Sequence, residues 1–185
     1  MRQWRSITLV CCALPAMAQA QNKVDPDALT LQDFTKRVAG YVRLHNTVKA
    51  GVHRLKPTQS AEAIERYQHR FAHGLREARA GVAQGNIFTA EIAAEFRRLI
   101  GIAMQGPAAA RIRESLQHAA PVRLKAIRVS HDYPAGVPLQ STPPSLLSNL
   151  PLLPPEVEYR VVGHALVLRD IDANLIVDFV SNAIP

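Results

Sequence analysis

Apolar residues recur at helical spacing through the first two thirds of this 185-residue chain. In the longest series, which we call the seam, apolar residues follow one another at intervals of three, four or seven residues. His45 stands inside the seven-residue interval. A seam with this period over about 25 residues predicts a helix of roughly 37 Å, with Thr30 as its N-cap and Pro57 beyond its end. The seam consists of Leu31, Phe34, Val38, Tyr41, Val48, Val52 and Leu55.

Further amphipathic helices are predicted after Pro57. Ser60 and Thr89 are suitable N-caps for the second and third of them, and Pro107 can open a fourth at its first position. The second helix is expected to run towards Gly85, with a buried stripe formed by Ile64, Tyr67, Phe71, Leu75, Ala78 and Val82. Residues 21–120 are therefore predicted to be a bundle of three to four helices.

The pattern changes in residues 121–155, which contain eight prolines and form a predicted connector with little regular structure. Val122–Val129 is the one candidate strand there, and Ser145–Leu150 a candidate helical turn. Residues 156–185 then show three alternating apolar runs separated by turn sequences, which predicts an antiparallel three-stranded meander. A meander of this size is not stable alone, so it is expected to dock on the helices in an α+β fold.

The first 20 residues have the three-part layout of a secretory signal peptide. Arg2 and Arg5 precede a short apolar stretch at residues 6–14, and small residues lead to a cleavage point after Ala20. Because the stretch is shorter than the roughly 20 residues of a membrane span, we interpret it as a removable signal. The mature chain would begin at Gln21 and lie in the periplasm or outside the cell.

Removal of this segment would take both cysteines, Cys11 and Cys12, and the single tryptophan, Trp4, out of the mature protein. The mature chain would then be cysteine-free, without a disulfide or a thiolate ligand. Lipidation at Cys12 is an alternative, although Cys11 stands where a small residue is normally required.

Basic residues are concentrated in the N-terminal part of the mature chain. The whole sequence has a net charge of +7, and residues 21–131 hold 18 basic but only 9 acidic residues. Basic side chains are densest at Arg111, Arg113, Arg123, Lys125 and Arg128. Because an exported protein does not meet nucleic acid in the cytoplasm, an anionic envelope surface is the expected partner of this predicted basic patch. The alternative is an ordinary solvated basic face without a partner.

One pattern could bind a metal ion. Glu65, His69 and His73 are spaced four residues apart on the predicted second helix, opposite Phe71. An i, i+4 histidine pair with a carboxylate can chelate a divalent metal, with His53 as a candidate fourth ligand. The alternative is a solvated helix face with ordinary Glu–His pairs. No other cofactor is predicted.

Other chemical motifs are weaker. Ser130-His131-Asp132 cannot form a catalytic triad because adjacent side chains point apart. Asp170–Asn174 begins like a calcium loop but has Leu175 where glycine is required, so it is interpreted as a turn with solvent-facing carboxylates. His45, at a seam position, is expected to be partly buried as a core histidine, and use as a pH switch is the alternative. No nucleophile–base constellation emerges, so the chain is not expected to be an enzyme.

The ordering of the chain resembles that of a family of uncharacterised secreted bacterial proteins. Three segments carry this resemblance: Gln84–Thr89, Glu158–Gly163 and Ala173–Phe179. The last two, taken as a β-module, are also similar to the β-module of periplasmic nickel/cobalt-homeostasis proteins. The resemblance implies an exported protein without a known activity. We therefore expect a non-enzymatic envelope interaction protein, or alternatively a periplasmic metal- or small-ligand-binding protein.

Export is directly testable. Protein recovered from the periplasm should have an intact mass that starts at Gln21, because the small residues before it suit signal peptidase. It should also lack tryptophan fluorescence. A mass that retains Met1–Ala20 would contradict the prediction.

Overall fold

The structure, a computed structural model, describes residues 25–53, 55–118, 127–134 and 142–185, with the side chains of residues 117 and 118 left out. The fold is α+β, with helices packed against an open three-stranded antiparallel sheet, as predicted. Its elements are α1 Pro26–Gly51, α2 Ala61–Ala78, α3 Ala90–Gln105, α4 Ala109–His118, α5 Pro144–Leu147, β1 Val157–Val162, β2 Ala165–Asp170 and β3 Leu175–Val180. Within these ranges, no helix is long and apolar enough to span a bilayer.

Helix α1 begins earlier than the sequence pattern predicted. Its N-cap is Asp25, whose side chain accepts a hydrogen bond from the Asp27 N–H, and Pro26 occupies the first helical position. The predicted cap, Thr30, lies inside the helix and donates to the Pro26 carbonyl. The prediction was wrong because the apolar seam starts one turn after the helix does. The seam also extends beyond the C-terminus of α1, because the helix ends at Gly51, before the last two residues of the seam.

The caps of the next two helices are confirmed. The Ser60 side chain accepts from the Ala63 N–H, and the Thr89 side chain accepts from the Ile92 N–H. Helix α2 nevertheless stops at Ala78, well before Gly85. Gly81 has a φ of 81°, a left-handed conformation that ends the helical path, so Val82 is not part of the stripe.

Two shorter predictions also have clear outcomes. Helix α4 starts at Ala109, not at Pro107, because residues 107 and 108 form a turn after α3. The predicted helical turn in the connector is confirmed as α5. Of the candidate strand Val122–Val129, residues 122–126 lie outside the described residues, and residues 127–129 are not a strand.

The C-terminal meander is confirmed, with strand order β1-β2-β3. Gly163, with a φ of 59°, allows the tight turn that pairs Val162 with Ala165. The second turn pairs Asp170 with Leu175. Each predicted turn therefore fixes the register of one strand pair.

The central and last strands are buried on both faces. Every residue of β2 and of β3 is buried. One face packs on the helices, and the other is covered by residues 127–134, from which Tyr133 packs on Val167 and Ile176. Three main-chain hydrogen bonds tie that covering segment to β3 and the residue before it: Ser130 N–H to the Ile176 carbonyl, Ile176 N–H to the His131 carbonyl, and Tyr133 N–H to the Asn174 carbonyl. The sheet is thus the middle layer of the molecule.

Aromatic side chains form the centre of the main core between α1, α3 and β1. The ring of Phe96 lies 4.8 Å from that of Phe34 and 5.1 Å from that of Phe88, and Tyr159 approaches from the sheet. Helix α2 contributes a smaller cluster in which Phe71 and Leu75 contact Leu175 after the second turn. In both clusters, helix side chains therefore pack against the sheet.

Helix α2 offers a test of the packing. Phe71 is completely buried, whereas His73, two residues away, is exposed. Phe71→Ala should lower the free energy of unfolding by about 3–5 kcal/mol because it leaves a cavity. His73→Ala should lower it by less than about 0.5 kcal/mol. Denaturant titration measures both values, and equal losses would contradict the observed orientation of the helix.

Candidate functional site

A buried carboxylate joins α1 to the end of β2. Asp170 is completely buried, and its Oδ2 lies 2.6 Å from both the Tyr41 hydroxyl and His45 Nδ1. Its Oδ1 accepts a hydrogen bond of 2.8 Å from the Ala173 N–H. Both oxygens are thus used, and the charge of Asp170 is held by three donors from two parts of the chain.

His45 is fixed from several directions. Its ring meets the Phe71 ring edge-on at 4.8 Å, and it is completely buried. Because Nδ1 faces the Asp170 carboxylate, we assign the ring proton to Nδ1. Nε2 is buried and has no hydrogen-bond partner among the described residues; it lies 3.6 Å from Asp172 Oδ2, which Lys49 Nζ contacts at 2.5 Å.

Arg79, just after α2, brings a positive charge into the same region. Its guanidinium lies 5.1 Å from the Tyr41 ring centre and donates to the Val177 carbonyl at 2.9 Å. Burial lowers the pKa of Arg79, and the nearby Tyr41, Asp178 and Asp170 oppose that shift. Burial, reinforced by the Asp170 charge, raises the pKa of Tyr41, so its hydroxyl remains a donor.

Asp178 on β3 holds the loop between α2 and α3. Its Oδ1 accepts from the Gly85 N–H at 3.1 Å, and its Oδ2 accepts from the N–H groups of Ile87 and Phe88 at 2.8 and 2.9 Å. Gly85 has a φ of 91°, which lets the backbone curl around the carboxylate. Gln84–Thr89 and Ala173–Phe179, two of the segments singled out in the sequence, therefore meet at Asp178.

A second charged cluster lies near the other face of the sheet. Arg169 donates to Glu158 at 2.5 Å and to the Asn174 side chain at 2.7 Å, and it lies over the Tyr133 ring. Burial opposes ionisation of Glu158, but hydrogen bonds from Arg160 and Arg169 outweigh it and lower the pKa of this carboxyl. This cluster ties the covering segment to β1 and β2.

The buried polar groups have a structural role. Asp170, Asp178 and His45 are completely buried, and their contacts connect helices, loop and sheet. The sequence-based interpretation of Asp170 as a solvent-facing carboxylate was wrong, because the turn directs it towards α1. The half-exposed Asp172 alone fits that description. The expectation that His45 is a buried core residue is confirmed.

The predicted metal ligands lie on the surface of α2. Glu65, His69 and His73 are all exposed, and His73 Nδ1 is 3.4 Å from Glu77 Oε2. His53 is also exposed. Across the described part of the chain, no group of three or more His, Cys, Asp or Glu side chains is arranged to hold a metal ion. The metal site therefore stays a prediction.

Ser130-His131-Asp132 attaches the covering segment to α2. Arg76 donates to the Ser130 carbonyl at 3.1 Å and to the Asp132 side chain at 2.5 Å. The His131 ring Nδ1 lies 3.1 Å from the Val129 carbonyl and does not contact the Ser130 hydroxyl. The three residues thus hold a loop and do not form a triad.

Unpaired positive charge covers the helical part. Within the predicted basic patch, Arg111, Arg113 and Arg128 are exposed, whereas Arg123 and Lys125 lie outside the described residues. We use the term exposed cations for side chains of the helical part that are exposed and form no ion pair with another described residue. They are Lys36, Arg43, Lys56, Arg70, Arg97, Arg111 and Arg113. They outnumber the equivalent anions, which are Asp25, Glu65, Glu77, Glu91 and Glu114; Glu77 lies 3.4 Å from His73, which is charged only when protonated.

Comparisons with known proteins identified no relative of this chain. No family model, curated protein or solved structure matches this chain.

The Asp170 cluster makes a quantitative prediction. Tyr41→Phe removes a donor to a buried charge and should cost about 1.5–3 kcal/mol of unfolding free energy. Tyr159→Phe is a matched control, because the Tyr159 hydroxyl donates to the neutral Pro151 carbonyl, and it should cost about 0.5–1.5 kcal/mol. Denaturant titration compares them, and a Tyr41 loss no larger than the control would contradict the role of Asp170.

Proposed function

We propose that this chain is a non-enzymatic protein of the bacterial periplasm that binds an anionic component of the cell envelope. The exposed cations of the helical part carry the proposal. Lys36 and Arg43 lie two turns apart on α1, both exposed and without an ion-pair partner among the described residues. Several cations that are not neutralised by their own protein attract an anionic surface together, each contributing about 1 kcal/mol close to it.

The distribution of acidic residues supports attraction of an anionic partner to the helical part of the protein. Residues 156–185 contain more acids than bases, but Asp170 and Asp178 are buried and compensated internally. Glu158 is paired with Arg160 and Arg169. The acidic side chains of the meander are therefore mostly buried or paired, whereas the helical part presents exposed cations to a partner.

The position of the acid–base groups supports a binding role over catalysis. The imidazole and carboxylate that lie closest together, His45 and Asp170, are completely buried and are bound to Tyr41 and the Ala173 N–H. A general base must be within hydrogen-bond reach of a substrate proton. The geometry of this pair suits anchoring of the sheet to α1.

A metal- or small-ligand-binding function is the second candidate. The observation that favours it is the exposure of both His69 and His73 one turn apart, with Glu65 one turn before them. Two neutral imidazoles at this spacing can bind zinc or nickel ions. Because protons compete with the metal for the imidazole nitrogens, affinity would fall as the pH is lowered.

Binding to lipid vesicles tests the first proposal. The protein should co-sediment with vesicles that contain anionic lipid and not with neutral ones, and binding should fall as salt rises, because exposed charges are screened within about 10 Å at 0.1 M. Lys36→Glu with Arg43→Glu should weaken binding at least tenfold, since it replaces two attractive charges with two repulsive ones at about 1 kcal/mol each.

An exchange of partners in an existing ion pair is the matched control. Glu62→Arg with Arg66→Glu changes two exposed positions of α2 but preserves the net charge, and it should leave vesicle binding unchanged. Salt-independent binding, or equal loss in both variants, would contradict the proposal. Calorimetry with zinc tests the second candidate function, metal binding. That function requires tight zinc binding that is lost in the His69→Ala variant.

A further inference from the structure

A pocket with a volume of about 300 Å³ opens beside β1, the edge strand of the sheet. Among the described residues, its lining is mostly apolar and comes from β1 and the segment that precedes it. The principal apolar side chains are Leu147, Leu150, Leu153, Val157 and Tyr159. Such a pocket can accept one apolar side chain from a partner.

Leu152 stands at the rim of this pocket and points into solvent. It is 97% exposed, whereas the next most exposed large apolar side chain among the described residues, Leu29, is 50% exposed. Pro151 and Pro154 flank it, and each fixes its own φ angle. A side chain on such a stiff segment loses little additional freedom when it is buried by a partner.

The main-chain edge of β1 is partly occupied by the chain itself. The Thr142 hydroxyl donates to the Tyr159 carbonyl at 3.0 Å, and the Val157 N–H donates to the Pro154 carbonyl at 3.2 Å. A partner strand could not pair with β1 without breaking these contacts. Recognition at this edge therefore depends on side chains.

We infer that the occupant of this pocket is a second copy of the chain, with Leu152 of each copy in the pocket of the other. A protruding side chain and a cavity lie side by side on one surface, so a two-fold rotation sets each opposite its complement. The polar residues beside the pocket are self-complementary as well. Glu158 and Arg160 have opposite charges and lie together at 2.5 Å, so the rotation also brings a carboxylate opposite a guanidinium.

The expected assembly is a reversible dimer. One leucine per copy anchors a small contact, and small contacts correspond to weak complexes. The contact is isologous, so it closes at two copies and leaves no pocket free for a third. This inference is independent of the proposed envelope binding, because it involves no exposed cation of the helical part.

Sedimentation velocity of the purified protein tests the inference. Between about 1 µM and about 1 mM, the range in which weak dimers dissociate, the chain should shift from monomer to dimer. Leu152→Asp should raise the dimer Kd about 100-fold or more, because both anchors are lost at once. Leu152→Met, an apolar residue of similar volume, should retain the dimer.

Leu29→Asp is the matched control, since it introduces the same charge at an exposed leucine of α1 and should leave the dimer intact. Circular dichroism confirms that each variant is folded. A protein that stays monomeric over the whole range would overturn the inference. A dimer that survives Leu152→Asp, or assemblies that continue to grow beyond two copies, would also overturn it.

Discussion

The fold depends on a carboxylate that has no contact with water. Asp170 ends the central strand, and its charge requires donors that only a correctly packed helix can supply. Tyr41 and His45 provide two of them from one face of α1, and the Ala173 N–H provides the third. Because a one-turn shift of α1 would leave this charge with fewer donors, the cluster favours one register between helix and sheet as well as stabilising it.

Periodicity explains how much of the fold could be predicted. The caps at Ser60 and Thr89 and the strand pairs of the meander depend on neighbours in sequence, and the structure has them as expected. Long-range packing could not be predicted in the same way. Nothing in Asp170–Asn174 distinguishes a buried carboxylate from an exposed one, since that depends on a helix more than 120 residues away.

The surface was easier to predict than the interior. The phase of α2 relative to Phe71 correctly indicated that His69 and His73 are exposed. The pocket beside β1 had no such signal, because Leu152 lies in a proline-rich stretch where hydrophobicity has no period. A leucine between prolines is compatible with a buried turn or a protruding one, and only the positions of the surrounding elements decide between them.

The bond between Tyr41 and Asp170 spans 129 residues of sequence, and it has a consequence for folding kinetics. The helices must wait for the last strands before their buried polar groups are satisfied. Proteins dominated by such distant contacts have a high contact order and fold slowly. In a chain synthesised from its N-terminus, Tyr41 and His45 can therefore bind Asp170 only after β2 has been made.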